Sequence, residues 1–375
     1  MEQLGFVDIL EDEKIIEQLG GRQMVANDWD WELSDLQKVK KNNLKVFSCF
    51  ACGGGGSSLG YKLAGYDVIG CCEIDKRIND IYVKNNNPKY NYVEDIRDFN
   101  KRVDLPEELF NLDILDGSPP CSTFSMSGLR EEAWGKEKKF REGQKKQVLD
   151  DLPFVFIDTV SKLRPKVVLL ENVEGMVNGD AWKYVQEIHR RFQEIGYSVK
   201  HWIVKGETMG VPQIRHRVIF IATRLKFDLE TLDLHFNYKP IVFKEIKSER
   251  GTPLQPRTKT LKFLLDNLQY GELDLSAPCI RLLGKRSFFN NNIVYDDKVC
   301  NTLTAKNVLF RYDTREYLSR QDMIRVASFP RDFDFIQNSV ANTCYICGMS
   351  VPPIMIKRIA ERLYESKIFK SEENS

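Results

Sequence analysis

The stretch LKVFSCFACGGGGSSLG, residues 44–60, decides the fold. Its first half is a compact apolar run, long enough for one strand. Four glycines follow, and then the sequence predicts a helix over Ser57–Leu63. A strand that runs through a glycine turn into a helix is the opening of a βαβ unit. Glycines there let the backbone approach a ligand closely, and a helix N-terminus favours negative charge. Tight packing alone would also use such a turn, so the motif by itself is weak.

The pattern repeats outward from this point. YDVIGCCEID (66–75) reads as a second strand that ends in acids, with a helix from about Lys76. NLDILDGSPP (111–120) is a strand running into a proline turn. DDLPFVFIDTVSKLRP (150–165) has a helical apolar period and stops at Pro165. PKVVLLENVEG (165–175) is an apolar strand that ends in Glu171-Asn172. A strand pair follows, YSVKHWIVK and then HRVIFIATR. Alternating strands and helices imply a parallel sheet, and continuously apolar strands imply a sheet covered on both faces. The expected class is α/β, doubly wound and mostly parallel. After about Arg224 the periodicity fades, with several prolines and a small basic excess, and helical sequence returns near Ser319.

Composition excludes several classes. The 375 residues are 42% hydrophobic and 29% charged, enough for a real core in one large domain or two modest ones. No run of about 18 apolar residues predicts a membrane span, and the N-terminus lacks the basic and apolar regions of a secretory signal. The expected location is therefore the cytoplasm, where the nine scattered cysteines stay reduced. Cys49-x-x-Cys52 and Cys344-x-x-Cys347 have the spacing of zinc half-sites or redox pairs, but both sit in apolar sequence, where cysteine acts as a small hydrophobe. No metal is expected. The net charge of +1 predicts no polyanion partner, but residues 1–43 are net −5 and the remainder net +6. Residues 136–146, KEKKFREGQKK, hold six bases against two acids; from charge alone this is a solvated helix face.

In an open α/β sheet, ligands gather at the carboxyl ends of the strands. Glu73 closes the second strand, where a carboxylate can grip ribose hydroxyls. With the glycine turn it suggests an adenosine-containing cofactor, without separating NAD from S-adenosylmethionine. Cys121, Glu171-Asn172, and Gln213-Ile-Arg215-His-Arg217 then bring a thiol, a carboxylate and two arginines to the same edge. Each also has a bland reading, as a turn thiol, an ion-paired acid or surface charge.

SPPC (118–121), ENV (171–173), QIRHR (213–217) and GMSVPP (348–353) lie in that order, and the chain resembles the DNA (cytosine-5) methyltransferases of bacterial and phage restriction–modification systems. The resemblance covers about 44–224 and 299–365. It implies a Rossmann-like S-adenosylmethionine methyltransferase sheet with a small second, target recognition domain. The implied organisation is an acidic extension (1–42), a catalytic domain that binds S-adenosylmethionine (43–225), a recognition domain (226–299), and a segment returning to the catalytic domain with a frayed tail (300–375). The implied reaction is methyl transfer to C5 of a flipped cytosine through a covalent adduct at C6.

The resemblance also assigns roles. Cys121 is the nucleophile, Glu171 the partner of N3, and Arg217, with Arg215 in support, the stabiliser of O2. Phe50 or Ala51, Gly53, Gly54, Gly55, Glu73, Ile74, Asp95, Ile96, Pro119, Ser350 and Val351 fall at cofactor motifs. Ser122, Ser125, Gln213, Arg281, Lys285 and Arg286 are the DNA-contact candidates, with Asn290–Asn292 beside them. The basic run after Cys121 becomes a loop closing on phosphates. Implied partners are double-stranded DNA, no membrane, and a restriction endonuclease of the same system; the chain is expected to be a monomer. Two motifs depart from the family pattern: Cys52 and an extra glycine alter the first, and Gly348-Met349 stands for Gly-Asn in the last. A tRNA cytosine-5 methyltransferase shares the catalytic motifs but typically has Cys-Phe-Thr before Glu-Asn-Val, where this chain has Val167-Val-Leu-Leu170. A non-catalytic relative would not need Cys121, Glu171 and Arg217 intact. An NAD oxidoreductase would leave Pro-Cys and Glu-Asn-Val unexplained.

Overall fold

A computed structural model of the chain describes residues 28–120, 151–248, 250–285, 291–306 and 308–372. Seven strands form the main sheet: β1 (Lys45–Cys49), β2 (Asp67–Cys72), β3 (Tyr90–Tyr92), β4 (Ile114–Gly117), β5 (Val167–Val173), β6 (Ser198–Lys205) and β7 (His216–Thr223). Their order is β3-β2-β1-β4-β5-β7-β6. β1 to β5 pair in parallel, and β7 runs antiparallel between β5 and β6. The chain leaves β1 toward β2 on one side and resumes with β4 on the other, so the switch point lies between β1 and β4.

Helices α1 (Cys52–Leu63), α2 (Lys76–Asn86), α3 (Leu152–Leu163) and α4 (Trp182–Glu194) cross between strands. Regular helical backbone in α1 starts at Gly56, because Gly53, Gly54 and Gly55 all have positive φ (63°, 78° and 96°). The predicted start at Ser57 misses that boundary by one residue. One face of the sheet, with Phe47, Leu115, Val168, Leu170 and Phe220, packs on Phe156 and Val160 of α3 and Ile188 and Phe192 of α4. The other face, with Val46, Ile114, Leu169, Ile219 and Ile221, packs on Tyr61 of α1 and on the last long helix.

Beyond the sheet come α5 (Lys259–Asp266), α6 (Ser276–Leu283), a small parallel pair β8 (Asn291–Val294) and β9 (Val308–Arg311), α7 (Arg320–Val326), α8 (Val340–Met349) and α9 (Pro353–Glu365). A separate small core unites Leu254, Leu265, Leu268, Leu275, Ile293, Tyr295 and Phe310. Leu225, Leu229, Leu232 and Leu234 pack in the core under the sheet. β9 pairs with β8 and contributes Phe310 to the small core.

The described end of the acidic extension is stitched onto the C-terminal part at Asp28 and Trp31. Trp31 is 5% exposed, and its indole N–H donates to the Ser328 carbonyl at 3.0 Å. Asp28 pairs with Arg358 at 2.8 Å and also with Lys357. Burial works against the Asp28 charge, but Arg358 and Lys357 hold its carboxyl below the usual range. Among the described residues no helix is long and apolar enough to cross a membrane.

Candidate active site

The parallel register aligns Cys49 with Cys72 and with Gly117, and Gly117 with Leu170. Phe50-Ala51, Glu73-Ile74 and Ser118–Pro120 therefore leave the sheet at one edge, around the switch point, where Glu171–Val173 of β5 extend past β4. Alternation along a strand sets which side chains share a face. Asp116 lies on the face of Ile114, Glu171 on that of Leu169, and Arg217 on that of Ile219, all toward α9.

Arg217 Nε lies 2.7 Å from Glu171 Oε1, with the two side chains 13% and 9% exposed. A buried pair of this kind needs further hydrogen bonds to offset desolvation. Arg217 Nη1 donates to the His216 carbonyl at 2.7 Å. The neighbouring amide, Asn172 Nδ2, donates to the Pro119 carbonyl at 3.5 Å. The end of β5 is thus tied to the diproline just ahead of Cys121. Cys121, Ser122 and Ser125 themselves lie outside the described residues.

The QIRHR stretch divides its labour differently from the sequence expectation. Arg215 is 2% exposed, and its guanidinium donates to the carbonyls of Leu303 (3.0 Å), Gly348 (3.2 Å) and Ser350 (2.6 Å). Gln213, expected at DNA, is 1% exposed; its amide donates to the Val326 carbonyl and accepts from Leu303 N–H. Both are structural ties to the returning chain, and only Arg217 of the three meets Glu171. Cys300 bridges to Gln213 and its carbonyl accepts from Ile214 N–H, which brings Leu303 against Gln213 and Arg215.

At the cofactor edge, Phe50 is half-buried with φ of 59°, a left-handed conformation that costs energy for a side-chain-bearing residue. Ala51 packs inward against Cys71 and Tyr82, so Phe50 is the residue at the rim. Glu73 accepts from Asp75 N–H at 2.8 Å, and Asp75 caps α2. Ile74 is 42% exposed, unusual for isoleucine at a strand end. Asp95 caps the short helix Ile96–Phe99 and pairs with Arg97 at 3.2 Å; Ile96 itself is buried in the core. The Ser118 hydroxyl is buried and meets no hydrogen-bond partner among the described residues. An exposed Ile74, Phe50 at the rim, the Glu73 carboxylate and an unsatisfied Ser118 hydroxyl fit a ligand with an apolar ring and several hydroxyls.

The glycines serve packing first. A Cβ on Gly53 would lie 1.7 Å from Ser350 Oγ, and one on Gly56 would lie 2.1 Å from the Val351 carbonyl. Ser350 Oγ sits 2.8 Å from the Gly53 carbonyl. Ser350 and Val351, expected at the cofactor, are buried and brace the turn from behind. Gly54 and Gly55 are filled likewise by Ile81 and Tyr82.

The family model for C-5 cytosine-specific DNA methylases matches residues 44–365. The chain belongs to that family. It is 28% identical over 362 residues to the Type II methyltransferase M.FnuDI of Fusobacterium nucleatum, covering 88% of this chain and 98% of that one. It is 26% identical over 347 residues to M.NgoPII of Neisseria gonorrhoeae, covering 85% and 95%. Among solved structures, a DNMT2 variant of Spodoptera frugiperda aligns with a TM-score of 0.61 at 16% identity, over 86% of this chain and all of that one. The methyltransferase EhMeth of Entamoeba histolytica aligns at 0.56 with 17% identity, over 87% and 99%. These neighbours show the fold.

Two features of this DNA cytosine methylase were not singled out from sequence. Asp116 is 1% exposed in β4, bonded to Ser48 Oγ at 2.7 Å and Tyr61 Oη at 3.3 Å. Burial pushes its carboxyl up to about 7, with the nearby Glu171 charge adding and the two hydroxyls opposing. An aspartate inside the apolar run ILDG was the available signal. The second feature is His216, set between Glu174 and Glu207. In the methylase's small core, Arg281 pairs with Glu272 at 3.0 Å and donates to the Asn267 carbonyl, while Lys285 is exposed. Arg286 and Asn290 lie outside the described residues. The thiols of Cys49, Cys71, Cys72, Cys300 and Cys347 are buried, and burial raises all five. No three His, Cys, Asp or Glu side chains among the described residues are grouped to hold a metal ion.

Proposed function

We propose that this methylase modifies cytosine in a specific double-stranded DNA sequence, with S-adenosylmethionine as methyl donor and Cys121 as nucleophile. The observation that carries the reading is the buried Glu171–Arg217 pair, tied through Asn172 to the diproline before Cys121. Phe50, Glu73, Ile74 and the Ser118 hydroxyl would hold the donor, which supplies an electrophilic methyl group when bound.

Cytosine C5 is a poor nucleophile, and the chain's own groups correct that. The Cys121 thiolate adds to C6, forming an S–C6 bond and pushing electron density toward C5, N3 and O2. Glu171 holds a proton at N3, and Arg217 meets the charge growing on O2. After C5 is methylated, its proton leaves to a base and the S–C6 electrons return to the thiol, restoring the ring's double bond. The target atom is hidden in a stacked duplex, so the cytosine must be extruded first. The diproline fixes the backbone that aims the thiol. The small core around Leu254–Phe310, with the rest of the 226–299 segment, would carry sequence choice.

Expression in a host lacking cytosine methylation, followed by bisulfite sequencing, tests the reading. Methylation at one recurrent sequence is expected; unmodified genomic DNA from cells with folded protein overturns it. Exchange of the 254–310 segment with that of a relative should change the site, and an unchanged site would remove it as the specificity element.

A further inference from the structure

His216 opens β7, one residue before Arg217, and so faces the opposite side of the sheet. Its Nδ1 lies 3.1 Å from Glu174 Oε2 and its Nε2 lies 2.8 Å from Glu207 Oε1. An ionised carboxylate only accepts hydrogen bonds, and a neutral imidazole has one donor and one acceptor. With a carboxylate at each nitrogen, both contacts are satisfied only if the trio holds one extra proton, most simply as the imidazolium donating both ways.

The partners' places in the fold give this trio its significance. Glu174 begins the turn Glu174–Val177 that directly follows Glu171-Asn172-Val173. Glu207 lies in the turn Gly206–Thr208 that leaves β6, and its second oxygen faces Arg215 N–H at 3.4 Å. The His216 carbonyl accepts from Arg217 Nη1 at 2.7 Å. One imidazole thus joins the exits of β5 and β6 to the entry of β7, the segments that carry Glu171 and Arg217. Lys205, also charged, lies opposite His216 in the β6–β7 register.

We propose that His216, as an imidazolium clamped between Glu174 and Glu207, is a positioning residue that holds Arg217 against Glu171, and that loss of its proton releases the clamp. The proposal rests on the reading of Glu171 and Arg217 as the groups that face the cytosine. The Glu207 hydrogen bond, opposed by burial and joined by the charges of Glu207 and Glu174, raises the His216 pKa above its ordinary value. The clamp is therefore complete below the ordinary histidine range and is lost as pH rises through the raised value.

The test uses the full-length protein and single-turnover methylation of DNA, from pH 6 to 9, in wild type, His216→Gln and His216→Arg. A guanidinium donates to two carboxylates without titrating in this range. Wild type should lose rate on the alkaline side. His216→Gln should be slower at pH 6.5 by about tenfold or more, with KM for the methyl donor little changed, as expected of a misplaced group. His216→Arg should recover most of the rate and lack the alkaline decline attributed to the clamp. Wild-type rates and an unchanged profile in both variants would overturn the proposal. If His216→Gln does not fold, Glu174→Gln and Glu207→Gln replace it, and each should move the alkaline limb to lower pH; an unmoved limb in both overturns the proposal. If wild type methylates no cytosine, the proposed function has failed, while the clamp is judged separately by melting. Wild type should then lose stability relative to His216→Arg as pH rises from 6 to 9, and parallel melting curves would overturn it.

Discussion

Arg217 and Glu171 meet across the β5–β7 pair with both side chains nearly buried, at 2.7 Å. On the proposed reading, this carboxylate trades its guanidinium partner for a cytosine edge. Glu171→Gln should slow the chemical step by roughly 10²–10⁴-fold, the usual range for proton assistance. Arg217→Ala should also slow it, and the double variant should be no slower than about the worse single, because the residues act as one unit. Single-turnover rates on methyl-labelled donor measure this; a change confined to the donor's KM would contradict it.

Cys121→Ser should keep DNA binding and lose methylation. A serine hydroxyl is far less readily ionised than a thiol and so adds poorly to C6. Gel-shift affinity within a few-fold of wild type, with methyl incorporation below about 1% of wild type, is the expected pair of results. Turnover near the wild-type rate would remove Cys121 as the nucleophile.

Asp116 predicts an unusual stability profile. Its folded-state carboxyl titrates near 7 against 3.8 when unperturbed. Between those values the folded protein holds a proton that the unfolded chain has released. Its contribution to stability therefore falls as pH rises through that window. Asp116→Asn removes the penalty and should stabilise at pH 8 by on the order of 1–3 kcal/mol, with little gain at pH 4. Thermal melts at the two pH values check this; equal shifts at both would refute the assignment.

Trp31 anchors the described residues that precede β1. Trp31→Ala removes a buried indole and its hydrogen bond to Ser328, and should cost about 3–5 kcal/mol. Denaturant melts of the full-length variant measure the loss. A change under about 1 kcal/mol would show that the extension only rests on the surface.

Much of the architecture was legible because its signals are local. The strand ending at Cys49, the helices from Lys76 and from Leu152, and the acid-tipped strand at Glu171 all follow from apolar period and flanking residues. Arg215 and Gln213 were not legible in this way. Their motif is local, but their partners, Leu303, Val326, Gly348 and Ser350, lie roughly ninety or more residues on, and no spacing predicts such a meeting. Leucines 225–234 pack into the core under the large sheet, a choice made by packing and not by composition. The partners of the extension's acids were not legible either: Asp28, Asp30 and Glu32 meet Lys357, Arg358 and Arg331 some three hundred residues on.

The glycine turn after β1 is finished by the other end of the polypeptide. Ser350 and Val351 fill the space that Gly53 and Gly56 leave, and Pro353 and Ile356 do the same at Gly60. During synthesis, residues 350–356 must therefore emerge before the glycine turn acquires its backing. A nascent chain that already carries Cys121, Glu171 and Arg217 still has an unsupported glycine turn. Such a chain gains the turn's support only once Ser350 and Val351 have been added.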